Sequence, residues 1–590
     1  MTRLVVTEKD RMALNIARAL GTYSKRSLGY SSWRRGRLSV YEVTGSPGDM
    51  SLTILPLSGH IMNYATTRDL ERWTYASVDR ILDDPRSLVK VVSRRGSYAA
   101  IRSLAVRSSE VVIATDSDEE GENIGLEVIE TLGGYRNPIR RLWLTTTVPS
   151  DIRKAFSSLR EFNRNLALSV EARRKIDAIV GFAGTRQVTL RLRSSLASGQ
   201  RRGKGKGVLS FGRVQTSTLW IVVQREREIL SFVPRPYWDI VAEIEGGTRF
   251  VHSDCPLYDR ERALEIHDKI KGGKELLCTG IREKTELVQP PRPLNTAELL
   301  RAGSILLHVS PSRVMSLAEE LYLEGKITYP RVDNQTYTGS FDHKANLGKL
   351  LETKYGEQAK SLLERNLTTP TRGRYSEDHE PITPIAAVTG FKDPLGYRLY
   401  EVVLRHYLSV FGPAARFLDR NVDGTIGGEP FSAEGRELVD PGFYEVFYYP
   451  PKKKPIGQSF KPNTKYGIKG VNIEEKKTTP PARYSEAVLL AEMERQGIGT
   501  KSTRPMMIDT LKRRAYIRVE RQTVVPSERG TKFIESIERP WGDYISPKFT
   551  ARVESEMERV ARGEKDWNDL VASERKTFAQ AIQRFRGINE

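Results

Sequence analysis

Three groups of residues in this 590-residue chain carry side chains that could act on a phosphodiester. Tyr329-Pro330-Arg331 sets a phenol next to a guanidinium. Pro330 biases Tyr329 toward extended backbone. Residues two apart in an extended segment share a face, so Arg331 can donate a fork of hydrogen bonds to a phosphate that the phenol attacks. A phenol has a pKa of about 10 and needs positive charge nearby to lose its proton at neutral pH. The second group is Asp116-x-Asp118-x-Glu120-x-Glu122. If extended, Asp116 and Asp118 project to one face; Glu120 and Glu122 follow across Gly121 at a helix start, where the dipole favours carboxylates. Acidic oxygens converging with no His or Cys suit Mg²⁺ rather than zinc. The plainer reading is a helix N-terminus decorated with acids. Glu8 is the third group, at the end of another strand that parallel pairing would bring to the same rim.

The elements that would position these groups can be read from the pattern. Leu4-Val5-Val6 predicts a short buried strand, followed by Thr7-Glu8-Lys9 and a helix to Leu20 that stops at Gly21. Val111-Val112-Ile113 predicts a second strand with the acidic loop at its end, then a helix from Ile124 to Leu132 closed by Gly133-Gly134. Carboxylates at the ends of strand-then-helix units describe an α/β domain whose site lies where such sheets hold ligands. Residues 151 to 225 read as largely helical, interrupted by the Gly/Lys/Arg loop from Arg201 to Gly207. That loop lacks P-loop spacing, as does every other segment, so ATP hydrolysis is not indicated. Two later regions share a layout. One runs from Asn295 through a second helix beginning Ser310-Pro311, with a core face of Val314, Leu317 and Leu321, to the extended Lys326 to Arg331. The other runs from Ser485 to Gly497, then from about Ser502 to Arg513, and ends in a hairpin of Tyr516 to Val519 with Thr523 to Val525. Helix, helix and hairpin is a winged-helix outline; two packed helical hairpins are the alternative. Pro236 to Val251 and Phe417 to Phe447 alternate as strands do.

Lys and Arg number 94 against 74 Asp and Glu, a net charge of +20. Basic residues spread through folded segments favour a polyanionic partner running along the surface. The length suggests about four domains. Cys255 and Cys278 are the only cysteines, too few for a Cys₄ zinc ribbon, and read as inert thiols in a reducing compartment. The first residues meet charge too early for a signal peptide, and no apolar run reaches membrane-spanning length. A soluble intracellular protein is expected.

The chain resembles the type IA DNA topoisomerases, of the archaeal topoisomerase I/III kind. Ile327-Thr328-Tyr329-Pro330-Arg331-Val332-Asp333 is similar to the family's active-site segment, and Glu8-Lys9 with Asp116-x-Asp118-x-Glu120-Gly121-Glu122 to its Toprim domain. Further matches are Ser58-Gly59-His60, Arg173-Arg174-Lys175-Ile176-Asp177, Gly212-Arg213-Val214-Gln215-Thr216, His379-Glu380, Gly497-Ile498-Gly499-Thr500 with Thr503-Arg504, and Phe549-Thr550-Ala551-Arg552. Three positions depart from the pattern. Glu119 stands where many relatives have Arg, Val332 replaces a usual Thr, and the segment Asp378 to Thr383 lacks an Arg often found near its end.

The resemblance implies a multidomain α/β plus α+β torus. Its parts are a Rossmann-like Toprim domain (1–149), a winged-helix-like base with a single-strand groove (150–224 and 477–590), a β-rich arch (225–285 and 413–476), and a winged-helix-like domain carrying the tyrosine (286–412). It implies that Tyr329 is the nucleophile, assisted by Arg331, Glu8, Lys9 and His379, and that Asp116, Asp118 and Glu120 hold Mg²⁺. Arg173, Arg174, Asp177, Arg213, Gln215, Thr500, Thr503 and Arg504 are expected to bind DNA, preferentially single-stranded or underwound. The expected enzyme is an ATP-independent monomer, cytoplasmic and nucleoid-associated, with a possible helicase partner. Many relatives carry C-terminal zinc ribbons that do not occur here, which implies modest processivity. The rival readings are a catalytically silent single-strand clamp and a Toprim nuclease or primase. Reverse gyrase would need a helicase portion ahead of Glu8.

Overall fold

The computed structural model describes residues 2–28, 38–45, 50–196, 207–339, 341–365, 370, 373–375, 379–388 and 393–587. Residues 201 to 206 of the Gly/Lys/Arg loop, and Asp378, lie outside the described residues. Near the N-terminus the chain forms a six-stranded sheet in the order Thr22–Leu28, Leu38–Thr44, Ser51–Pro56, Thr2–Thr7, Glu110–Ala114, Ile139–Arg141. The last four run parallel, and the first two form an antiparallel edge. Successive side chains of a strand point to opposite faces. Val5 and Val112 accordingly pack with Met12, Ile16 and Leu20 of the helix Asp10–Leu20. Leu4, Val6 and Val111 pack on the other face with Ile124 and Val128. The helix carrying these two residues starts at Glu119 rather than Ile124, because the Asp118 side chain caps it.

The helix Arg164–Leu196 packs against the helix Glu119–Leu132 and against the C-terminal helices Pro547–Ala561 and Trp567–Gly587. Further along, six antiparallel strands close into a barrel: Pro236–Ile244, Arg249–His252, Glu275–Val288, Ala415–Ile426, Glu429–Asp440 and Lys465–Lys477. Ile240, Ile244, Phe250, Leu276, Val422 and Phe431 fill its interior. The strand expected to run on to Phe447 stops at Asp440. Pro441 has no N–H for the ladder, and Gly442 turns the chain at φ +50°. Four short connectors tie the barrel to flanking helices: residues 231–235, 289–295, 411–414 and 478–485. Each contains proline: Pro234; Pro290, Pro291 and Pro293; Pro413; and Pro480 with Pro481.

The two helix-helix regions differ in their third element. The helices Glu486–Arg495 and Arg504–Arg513 are followed by a true hairpin, Ile517–Glu520 paired with Thr523–Pro526. The helices Thr296–Leu307 and Pro311–Leu323 lead into an extended segment that makes one isolated bridge, Ile327 to Pro384, and no hairpin is present there among the described residues. No helix among the described residues is long and apolar enough to cross a membrane.

Candidate active site

Parallel pairing of Thr2–Thr7 with Glu110–Ala114 sets Thr7 opposite Ala114, so the Glu8 and Asp116 loops leave the same edge of the sheet. Arg141, on the next strand and 1% exposed, fastens the acidic loop from below. Its Nε donates to Glu122 Oε1 at 2.7 Å and its Nη2 to the Asp116 carbonyl at 2.7 Å. Its Nη1 donates to the Ile113, Thr115 and Leu142 carbonyls. Gly121 must be glycine, since a Cβ there would lie 1.9 Å from the Asp116 carbonyl oxygen.

The nucleophile segment arrives from the helix Pro311–Leu323, which Gly325 (φ +69°) terminates. The Tyr329 N–H donates to the Thr145 carbonyl at 3.0 Å, which seats the segment on the sheet domain. Thr296 fixes the following residues: its Oγ1 donates to the Pro330 carbonyl at 2.9 Å and accepts from the Val332 N–H at 2.7 Å. As a result a phenol and a carboxylate 211 positions apart in sequence meet. Tyr329 OH donates to Asp118 Oδ2 at 2.7 Å. Arg331 Nη1 lies 3.4 Å from the same oxygen. Asp118 divides its work, because its Oδ1 accepts from the Gly121 N–H at 2.8 Å and caps the helix.

Lys9 reaches Asp116 Oδ2 at 2.7 Å and Glu319 Oε2 at 3.3 Å, while Arg331 pairs with the other Glu319 oxygen. Glu319 thereby links both cations of the site, a role the sequence pattern did not reveal. The imidazole of His379 meets the Ser117 carbonyl, lies 5.1 Å from the Tyr329 ring, and stacks on Trp143 at 5.4 Å and 16°. Burial, then the charges of Asp118 and Asp116, hold the Tyr329 phenol well above its usual pKa. In this arrangement the nucleophile is protonated.

The donor set fits a hard divalent cation. Burial first, and then the charge of Asp116, push the Glu8 carboxyl up to about 8, and beside it three carboxylates, Asp116, Asp118 and Glu319, share the two cations Lys9 and Arg331. Among the described residues no group of three or more metal-type side chains is already gathered. Asp116 and Asp118 are engaged by Lys9 and Tyr329 instead. Glu120, expected beside them, turns away: its carboxylate meets Arg173 and, at 3.1 Å, His60 Nε2. It lies two residues into the helix, and the helical rotation carries it toward Arg164–Leu196.

Two sequence comparisons decide the family. A family described as DNA topoisomerase matches residues 161–572, and a Toprim domain matches residues 3–147. The chain belongs to the type IA DNA topoisomerases. It is similar to DNA topoisomerase 1 of Thermoplasma acidophilum, at 32% identity over 99% of this chain and 73% of that one. It is 33% identical to DNA topoisomerase 1 of Archaeoglobus fulgidus, over 99% and 84%. Human DNA topoisomerase 3-beta-1 is 29% identical over 99% and 69%. The fold matches full-length topoisomerase I from Thermotoga maritima with a TM-score of 0.74 and 23% identity, covering 98% of this chain and 90% of that one.

The remaining candidates of this topoisomerase separate into two cavities and the wall between them. Arg174 and Asp177 line a cavity of about 1020 Å³ together with Tyr64, Trp73, Phe182 and Arg514. Arg173, Thr500 and Arg504 line one of about 490 Å³ with Glu119 and Lys501. Arg174 is also tied to Glu127 and to the Asn123 amide oxygen. Arg213 was expected to meet DNA, but its side chain is 0% exposed and is clamped by Asp177 and Glu554. Burial at a helix N-terminus makes it a structural cation here. Gln215 is buried against Ser210 and Arg514, and the Thr503 hydroxyl accepts from the Thr500 N–H.

Proposed function

We propose that Tyr329 attacks a phosphodiester of single-stranded or underwound DNA, giving a 5′-phosphotyrosine and a free 3′-hydroxyl. The observation that carries this reading is the meeting of Tyr329 OH, Asp118 Oδ2 and Arg331 at one point, within 2.7 and 3.4 Å. Asp118 is positioned to accept the phenolic proton. Arg331 stabilises charge on the phosphoryl oxygens once a strand displaces it from Glu319, an electrostatic contribution that is usually the largest catalytic term. Glu8, whose raised pKa keeps it protonated near neutrality, donates to the departing 3′-oxygen and takes the proton back on rejoining. Lys9 and His379 hold neighbouring phosphates. Mg²⁺ held by Asp116 and Asp118 would supply positive charge that aligns the 3′-end for rejoining; Glu120, bound to Arg173 and His60, supports from outside.

Our assignment keeps a torus built from the Toprim domain, a winged-helix-like base, a helical unit carrying Tyr329 and the barrel as arch. The arch bounds move to the connectors at 231–235, 289–295, 411–414 and 478–485, because residues 225 and 285 fall inside a helix and a strand. The paired hairpin after Arg504–Arg513 supports the base unit, and the closed barrel supports the arch. The cavities around Arg173 and Arg174 are the proposed strand path. The covalent bond conserves phosphodiester energy, so the reaction runs without ATP, in a monomer that a helicase partner could supply with single strands.

The test is to trap the covalent complex on a labelled oligonucleotide and sequence the modified peptide. Tyr329 should carry the DNA, and Tyr329→Phe should form no adduct; an adduct on the Phe variant refutes the assignment. Plasmid relaxation with Mg²⁺ and without ATP should change the topoisomer ladder. An unchanged ladder with intact DNA binding would favour the silent clamp.

A further inference from the structure

Lys501 sits in the loop between the helices Glu486–Arg495 and Arg504–Arg513, where Gly497 and Gly499 turn the chain at φ +68° and +66°. It is only 7% exposed, and an ammonium is costly to bury unless opposite charge surrounds it. Its Nζ lies 3.7 Å from Asp333 Oδ2, two residues beyond Arg331 on the nucleophile segment. Glu119, the residue after Asp118, lines the same 490 Å³ cavity. Arg173, Arg374 and Arg504 face this cavity as cations, and Glu494 and Glu554 as further acids.

In this cavity the ammonium carried by the helix-helix loop therefore faces two segments distant in sequence, the nucleophile segment and the acidic loop. We infer that Lys501 is a positioning residue for cleavage and rejoining, holding Asp333 and Glu119 to one wall of the strand cavity and so fixing Tyr329-Arg331 in register with Asp116-Asp118. It touches neither the phenol nor the metal-binding carboxylates, and acts through the backbones that carry them. The inference rests on the proposed pairing of Tyr329 with the acidic loop.

The experiment is single-turnover cleavage of an oligonucleotide with Mg²⁺, reading the saturating rate and the half-saturating concentration separately. Lys501→Glu should lower the saturating rate at least about tenfold, over and above any rise in half-saturation that the reversed charge causes in the strand cavity. Lys501→Arg should stay near wild type, and Asp333→Lys combined with Lys501→Glu should regain most of the rate, as coupling between charges 3.7 Å apart requires. If Lys501→Glu does not fold, Lys501→Met is read the same way, with an expected loss of about threefold or more at an unchanged melting midpoint. A wild-type rate in both variants, a change confined to half-saturation, or a double variant no faster than Lys501→Glu overturns the inference. An adduct on Tyr329→Phe would instead sink the underlying reading, which keeps the two failures apart.

Discussion

Asp118 shows how much one side chain can coordinate. One of its oxygens starts the helix and the other holds the phenol. Tyr329, Arg331, Glu8, Asp116 and Asp118 were legible because each lies in a short segment whose backbone is fixed by proline, glycine or a strand end. Glu319 was not, since its partner Lys9 is 310 positions away and nothing local marks the pair. A different kind of site surrounds His343, buried among Tyr337, Phe341, Tyr407 and Phe411. Burial pushes its pKa down to about 4, against the opposing pull of Asp342. The unfolded chain binds this proton near pH 6.5, so the folded state is favoured fully above that pH and loses stability as pH falls toward 4. His343→Gln should remove this loss, worth on the order of 3 kcal/mol. Denaturant midpoints of both proteins between pH 7 and 4 measure it, and parallel curves would show the prediction wrong.

At the scale of elements, strand and helix positions followed from alternation and from end signals, whereas strand partners did not. Alternation in Pro236 to Val251 identifies strands but says nothing of closure with Lys465–Lys477, more than 200 residues on. The acids that begin the helix at Glu119 carry no apolar period, so the apolar pattern marks it only from Ile124, while the charge pattern places Glu120 and Glu122 at its start and the Asp118 cap fixes the turn. Arg141 is the tie between elements. It is buried with Glu122 and donates to four carbonyls, so Arg141→Met leaves a buried carboxylate without its cation. That change should cost about 3–5 kcal/mol. Calorimetry reads it as a lowered melting midpoint, and an unchanged midpoint would mean that the acidic loop holds its shape without this tie.

For the whole molecule, a net charge of +20 was the earliest sign of a polyanionic substrate. Phosphate contacts release counterions, and each contributes a slope of about −0.7 in log affinity against log salt for a single strand. Titrating a labelled oligonucleotide from low to moderate salt should give a slope steeper than about −2, equivalent to three or more contacts. A flat response would place recognition in stacking alone.

The four proline-bearing connectors have a mechanical consequence. A closed barrel has no unpaired edge along which to peel, so its strands travel as one piece. Residues 231–235 and 478–485 anchor it to the helices Arg213–Leu230 and Glu486–Arg495, while 289–295 and 411–414 anchor it to Thr296–Leu307 and Pro394–Val410. The straps are thus grouped in two pairs, one at each attachment, and proline narrows the directions in which each can bend. Separation of the phenol from the acids would then swing on two creases joined by a stiff spacer, as the jaws of a clasp part.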